Sequence, residues 1–251
     1  MWFDSTSGIT AMKVYNGTDW DQLRIVELGN YVSSGLYSYW DVSSANSYSG
    51  AGNTLYDLTG NQNLTNSGDT PSVQGTGLAK YFSQSSGNYP YWTATNRNYG
   101  LQNASIEIWL FTTNGTSDDY LFNFYSGSTT GNSRALRLSA GQVSLVGNGS
   151  STQDQNSLGT LTSNQWYQFV FTYQATDNVV IYKNGASIGS FTKDLTDGGG
   201  GDVSLGNTFW YGANNTNVWK GGWAACRYYT KTLTSTEVSI NWNGTKARFG
   251  L

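Results

Sequence analysis

From about residue 78 onward, short runs of β-branched and aromatic residues alternate with clusters of Gly, Asn, Ser and Asp at roughly 8 to 15 residue intervals, a rhythm that predicts a sandwich of short antiparallel strands. In Ser105 to Phe111 the alternation puts Ile106, Ile108 and Leu110 on one face of a strand. In Trp166 to Tyr173 it puts Tyr167, Phe169, Phe171 and Tyr173 together. Val179 to Lys183 then meets Asn184-Gly185, a pair that accepts positive φ and so predicts a tight hairpin returning through Ala186 to Phe191. Further strands are expected over 135–138, 142–146, 203–205 and 222–229.

Helix has little support in this pattern. Thr234-Ser235-Thr236-Glu237 has capping-box spacing and is followed by Val238, Ile240 and Trp242, which predicts a turn or two. The first 22 residues read as a small β-hairpin, an attachment segment that needs a partner surface because two strands alone are marginal in water. Residues 23–36 read as a connector, and 37–251 as the sandwich. Within it, 41–77 is rich in Gly, Asn, Ser and Thr, with Tyr48, Leu55, Tyr56, Leu58 and Leu64 at intervals, and long ordered loops are expected there.

Composition excludes several functions. There is no His among the 251 residues, which removes Ser-His-Asp triads, Cys-His pairs and His-based zinc sites. Lys and Arg number 13 against 16 Asp and Glu, so no basic field exists to hold phosphates, and nucleic-acid binding is not expected. No apolar run approaches the roughly 20 residues of a spanning helix, and the first residues lack the basic start and apolar core of a signal peptide, so neither membrane insertion nor export by that route is expected. A single Cys226 cannot form an internal disulfide. The 10 Trp, 18 Tyr and 10 Phe argue for an ordered chain despite its polarity.

Trp166 to Tyr173, Val180-Ile181-Tyr182-Lys183-Asn184-Gly185 and Ile188-Gly189, with Trp219 to Tyr229 and the closing Leu233 to Val238, resemble concanavalin A-like lectin/glucanase domains of the laminin-G-like and pentraxin-like type. The resemblance covers roughly residues 37 to 245. It implies an all-β, two-sheet antiparallel jelly roll of about a dozen strands. Tyr39 to Tyr48 and Tyr56 to Asn63 are similar to the opening of such domains in tailed-phage virion proteins, and residues 2 to 20 are similar to short hairpin modules of phage fibres and other virion appendages. Together these resemblances imply a protein on a virion surface, outside the cell, partnered by other virion proteins and by copies of itself.

The glucanase branch of that fold supplies its carboxylates from one strand as Glu-x-Asp-x-x-Glu. Counting from Glu107, the Asp position holds Trp109 and the second Glu position holds Thr112, so the chain is not expected to be an enzyme, and Glu107 reads as a solvent-face strand residue. Asp118 and Asp119 are adjacent, and on a strand they would point to opposite faces. Carbohydrate binding suits the composition better: aromatic faces stack on sugar rings while amides bond their hydroxyls, and the expected target is a host-surface glycan. Trp210, Tyr211, Asn214, Asn215 and Trp219 place both kinds of group in one connection, and Tyr91 and Trp92 form a second candidate cluster. A purely structural decoration protein, and a secreted lectin or divergent glycosidase, are the alternative readings. No cofactor is required. Calcium is the metal left open, with Asp57 and Asn61, or Asp194, Asp197 and Asp202, as oxygen-bearing loops; the plainer reading of Asp57 is a carboxylate tying its own turn.

Overall fold

The computed structural model describes side chains over residues 30–66, 69–83, 103–113, 159–174, 178–190 and 221–251 and at Trp92 and Thr192, and further strands as backbone. In chain order these are β1 (Trp2–Asp4), β2 (Ala11–Tyr15), β3 (Trp20–Leu23), β4 (Leu36–Asp41), β5 (Thr54–Leu55), β6 (Leu64–Asn66) and β7 (Ser72–Gln74). There follow β8 (Tyr81–Gln84), β9 (Trp92–Ala94), β10 (Asn103–Thr112), β11 (Asp119–Ser126), β12 (Arg134–Ser139) and β13 (Gln142–Gly147). The remainder is β14 (Gln153–Gln155), β15 (Gln165–Gln174), β16 (Asn178–Lys183), β17 (Ala186–Thr192), β18 (Gly201–Leu205), β19 (Gly221–Tyr229) and the helix α1 (Ser235–Thr245), closed by a 3-10 turn over Lys246–Phe249.

Two eight-stranded antiparallel sheets make the sandwich. One runs β17-β16-β15-β10-β19-β8-β7, with β4 also paired to β19; the other runs β14-β13-β12-β11-β18-β9-β6-β5. This is the expected all-β jelly roll, with more strands than the dozen the resemblance implies. The N-terminal hairpin is instead a three-stranded meander, β1-β2-β3, because Trp20–Leu23 adds a third strand in register with Ala11–Tyr15.

The facing read from the alternation holds. Ile106, Ile108, Leu110, Tyr167, Phe169 and Tyr173 join Trp40, Trp92, Trp223 and Ile181 in the core between the sheets, and Phe171 packs against it. Tyr48, Leu55 and Leu64 reach that core from the 41–77 segment, whereas Tyr56 stays 51% exposed. Asn184 and Gly185 take φ of 53° and 78°, the positive pair a two-residue hairpin turn needs. A Cβ at Gly185 would also lie 2.7 Å from the Trp242 ring, so the turn and its packing both demand glycine.

The helix departs from expectation. It runs three turns rather than one or two, behind the capping box of Thr234 and Glu237. Its buried face is Val238, Asn241 and Thr245, and two polar residues in that row hid the helical period; Ile240 points outward at 46% exposure. Together with Phe249 of the 3-10 turn, α1 lies over the outer face of the β10–β19 sheet and packs on Tyr39, Trp109, Ala224, Ala225, Val170 and Tyr229. A bulge in β19 opposite Trp109/Leu110 puts both Ala224 and Ala225 under this cover. All nine residues of β19 are therefore buried, a strand covered on both faces. Among the described residues no helix is long and apolar enough to cross a membrane.

Trp92 tests the core assignment. Its ring is fully buried, 4.7 Å from Phe82 and 5.9 Å from Tyr48 between ring centroids. Trp92→Ala is expected to cost about 3 to 5 kcal/mol of stability, read as a lower urea midpoint, whatever its effect on binding.

Candidate functional site

Strand register puts the strand ends that flank the two expected binding segments side by side at one end of the sandwich. The segment 85–91 leaves from Gln84 and returns at Trp92, and the segment 206–220 leaves from Leu205 and returns at Gly221. Gln84 is the register partner of Gly221, and Trp92 that of Leu205. The two connections thus start and finish beside one another, each crossing from one sheet to the other. Thr112, where β10 ends before the connection to Asp119, also pairs with Gly221 at this end. Trp210, Tyr211, Asn214, Asn215, Trp219 and Tyr91 themselves lie outside the described residues, as do Asp118, Asp194 and Asp197. Asp119 and Asp202 fall on β11 and β18.

Trp92 is a correction. Expected among the sugar-binding residues, it is a core residue with no face open to a ligand, because the alternation along β9 turns it inward toward Phe82 and Tyr48.

At the same end the structure shows an aromatic cluster that the sequence reading missed. Trp166 on β15, Phe111 on β10 and Gly222 on β19 are successive register partners in one cross-strand row. Tyr81 completes the cluster: its ring lies 5.1 Å from Phe111 and 5.5 Å from Trp166, and Phe111 and Trp166 are 5.2 Å apart. Gly222 permits this, since a Cβ there would sit 2.1 Å from the Tyr81 ring. All three aromatics are partly exposed on the outer face, at the margin of the cover, where the Trp166 ring lies 4.5 Å from that of Phe249. The signal available in sequence was only that Phe111 and Trp166 fall on the polar-side parity of their strands. Burial raises the Tyr81 phenol above its ordinary pKa.

Glu107 is the second correction: it is 1% exposed, not on a solvent face, because α1 roofs it. Its Oε1 accepts from Arg227 Nη1 (2.7 Å), Gln168 Nε2 (2.9 Å) and Trp109 Nε1 (3.2 Å), and its Oε2 from Asn241 Nδ2 (2.7 Å). The Arg227 guanidinium lies between the Tyr31 and Tyr39 rings, 4.4 and 4.6 Å from their centroids. Burial opposes its charge, but Glu107, Tyr39 and Tyr229 outweigh burial and hold it firmly protonated. Arg227 Nη2 donates to Tyr39 Oη (3.4 Å), which donates to Asp41 Oδ2 (2.7 Å), and Asp41 receives a two-pronged pair from Arg248 at 2.5 Å. The chain of contacts is complete apart from Arg227 Nε and Gln168 Oε1, buried without partners. A carboxylate so covered and saturated cannot protonate a glycosidic oxygen.

Asp57 is saturated too. Its Oδ1 accepts from the backbone of Tyr39 (2.8 Å) and Thr59 (2.9 Å) and from the Thr59 hydroxyl (2.8 Å), and its Oδ2 from the backbone of Asn61 (3.1 Å) and Gln62 (2.8 Å). That ties the loop of 57–62 to β4, as the plainer reading of this residue has it. Among the described residues no cluster of three or more metal-ligating side chains occurs.

Residues 86–239 match the family described as the concanavalin A-like lectin/glucanases superfamily, of the laminin G type. No curated protein matches the chain in sequence. Among solved structures it is similar to domain 4 of AbnA, a GH43 extracellular arabinanase from Geobacillus stearothermophilus solved in complex with arabinotriose, at 18% identity and TM-score 0.62, over 83% of this chain and 98% of that one. It is also similar to the binding domain of botulinum neurotoxin serotype D, at 16% identity and TM-score 0.61, over 84% of this chain and 52% of that one. The botulinum neurotoxin DC binding domain in complex with rat synaptotagmin II gives 13% identity and TM-score 0.61, over 83% and 51%. The chain thus spans about half the length of these toxin domains, and at such identities the likeness is one of fold.

Glu107→Ala is expected to cost about 3 to 5 kcal/mol, read by urea denaturation, because it leaves the Arg227 charge buried and unpaired. Alkali supplies a separate check. Burial above all, with the Asp41 carboxylate and against the pull of Arg227, pushes Tyr39 up to about 12, and burial raises Tyr228 and Tyr229 as well. Folded-state pKa values above the ordinary tyrosine value of about 10 mean that their contribution is intact below pH ~10 and is lost as pH climbs through the folded values. Unfolding free energy should therefore fall from pH ~10 upward, with phenolate absorbance of these residues rising only on unfolding.

Proposed function

The chain belongs to the concanavalin A-like lectin/glucanases superfamily, and from that premise we propose that it is a non-catalytic carbohydrate-binding domain displayed on a virion surface and directed at a host-surface glycan. One observation carries the reading. The chain enters the sandwich at Leu36, paired with Tyr229 at one end of β19, while the aromatic- and amide-bearing connections return at Gly221, the other end of that nine-residue strand. At about 3.3 Å per residue the two ends are about 26 Å apart, a separation that supports a reading in which attachment and recognition use different ends of the sandwich.

Trp210, Tyr211 and Trp219 supply stacking faces, and Asn214 and Asn215 supply amides for hydroxyls, with Tyr91 on the neighbouring connection. The solved likeness to a domain held with arabinotriose supports a sugar ligand. Absence of catalysis is supported by the broken Glu-x-Asp-x-x-Glu pattern and by the burial of Glu107. Virion display, with other virion proteins and sister chains as partners, is supported by the resemblance of residues 2–20 to appendage modules, which makes the β1–β3 meander the attachment element.

A glycan array probed with the purified chain, with and without calcium, should show saturable binding to one glycan class and no release of reducing sugar. Trp210→Ala and Trp219→Ala should each weaken that binding at least tenfold at unchanged melting temperature. Deletion of residues 1–22 should spare binding but abolish incorporation into particles. Silence of the folded chain across the array overturns the carbohydrate reading, and unchanged incorporation overturns the attachment assignment.

A further inference from the structure

The margins of the two sheets are guarded unevenly. An edge strand carries a row of unpaired backbone N–H and C=O groups, and folded proteins blunt such edges with short strands, charge, proline or cover. Here β5, β7 and β14 end their sheets with two or three residues each. The free side of β4 is taken up by the loop over 47–61: Tyr39 N donates to Asp57 Oδ1 (2.8 Å), Asp41 N to Ser47 Oγ (3.1 Å), Leu58 N to Tyr39 O (2.8 Å) and Asn61 Nδ2 to Tyr37 O (2.6 Å). β17 differs. It ends the β10–β19 sheet with seven residues, and from Asn184 to Thr192 there is no Lys, Arg, Asp, Glu or Pro. Ala186, Ser187, Ser190 and Thr192 are exposed, and among the described residues no backbone group from another segment bonds to the outer edge of 186–190. A bulge breaks the register at Ile188, whose side chain packs on the core; it lies beside the hairpin turn and leaves Gly189 to Thr192 in unbroken register with Ile181 to Asn178.

We propose that the β17 edge is the contact through which two copies of this chain associate, strand against strand and antiparallel, joining their β10–β19 sheets into one. The inference rests on the sister-chain partnership in the reading above and gives it a place. A second copy suits this edge better than a foreign strand. An antiparallel edge turned on itself by a two-fold axis sets donors against acceptors with no further complementarity required. The lack of charge from Asn184 to Thr192 matters under that symmetry, because any lysine or carboxylate there would face its own copy. Ala186, Ser187, Gly189 and Ser190 are small, so they let two edges approach but raise no walls around the side-chain pockets by which a domain selects a foreign strand. The hairpin is also held from behind: Gln168 N donates to Asn184 Oδ1 (3.0 Å) and Asn184 N to Gln168 O (2.9 Å). An edge already ordered loses little entropy on pairing.

The test is sedimentation velocity of the full chain over a concentration series, with hydrogen exchange measured at both ends of the series. A monomer–dimer equilibrium is expected, in which the amides of Ala186–Thr192 exchange more slowly as concentration rises while those of Leu36–Asp41 do not change; this readout needs no variant. Ser187→Lys and Ser190→Lys, at exposed positions and doubled by the two-fold, should each weaken dimerisation at least tenfold with melting temperature near wild type. Ser190→Thr, which adds no charge and favours a strand, should leave it intact. If the chain associates, but both lysine variants associate as the wild type does and the β17 amides exchange alike at every concentration, the edge is wrong and the sister-chain partnership stands. Protection of β17 that appears only on adding a different protein overturns the second copy as occupant. A folded chain that stays monomeric at every concentration overturns both the edge and the partnership.

Discussion

The Glu107–Arg227 pair is the constraint around which the outer face of the β10–β19 sheet is organised. Both partners are about 1% exposed, on adjacent central strands, and neither could be there without the helix that covers them. Taking two charges out of water costs several kcal/mol each, and only saturation of the carboxylate makes the arrangement tolerable. Gln168, Trp109 and Asn241 provide that saturation from β15, β10 and α1, so the pair ties four elements together. Its effect is specificity of packing more than net stability: α1 has one seat in which Asn241 meets both Glu107 and Tyr229.

Much of the rest follows. Once α1 lies over Glu107, Trp242 and Phe249 come to rest against Trp109, at 5.5 and 4.1 Å and nearly parallel to it. Arg248 is then placed to grip Asp41, whose β4 neighbour Tyr39 leads back to Arg227. The half of the sheet face under α1 is thereby shut off from solvent, while Tyr81, Phe111 and Trp166 at the margin of that cover stay partly exposed.

How much of this was legible in sequence depends on whether the signal was periodic. Ile106, Ile108 and Leu110, and the odd-numbered aromatics of 167–173, declared their facing because alternation of apolar residues is the physical mark of a half-buried strand. Asn184-Gly185 declared its turn because few other pairs accept two positive φ values. Glu107 misled because a carboxylate in an alternating strand reads as solvent-facing unless its buried cation, 120 residues away, is known. The helix was undercounted for the same reason, Asn241 and Thr245 being polar residues doing apolar positions' work. Trp92 was read as a binding residue because an aromatic beside Tyr91 looks alike in sequence whether it faces in or out. The cluster of Tyr81, Phe111 and Trp166 was invisible because its three rings come from three strands and converge only through a register, and through a glycine whose value lies in what it lacks.

The way residues 30–32 are held has a mechanical meaning. Asn30 O sits where a Cβ on Gly244 would be, 1.8 Å away; Tyr31 lies on Arg227, and Val32 N donates to Asn241 Oδ1 at 2.7 Å. Tension arriving along the chain from its N-terminal side is therefore delivered into α1 and the buried ion pair before it reaches any strand of the sandwich. A pull on the tether would have to prise the helix from its seat first, and Gly221, at the far end of β19, would feel none of it until then.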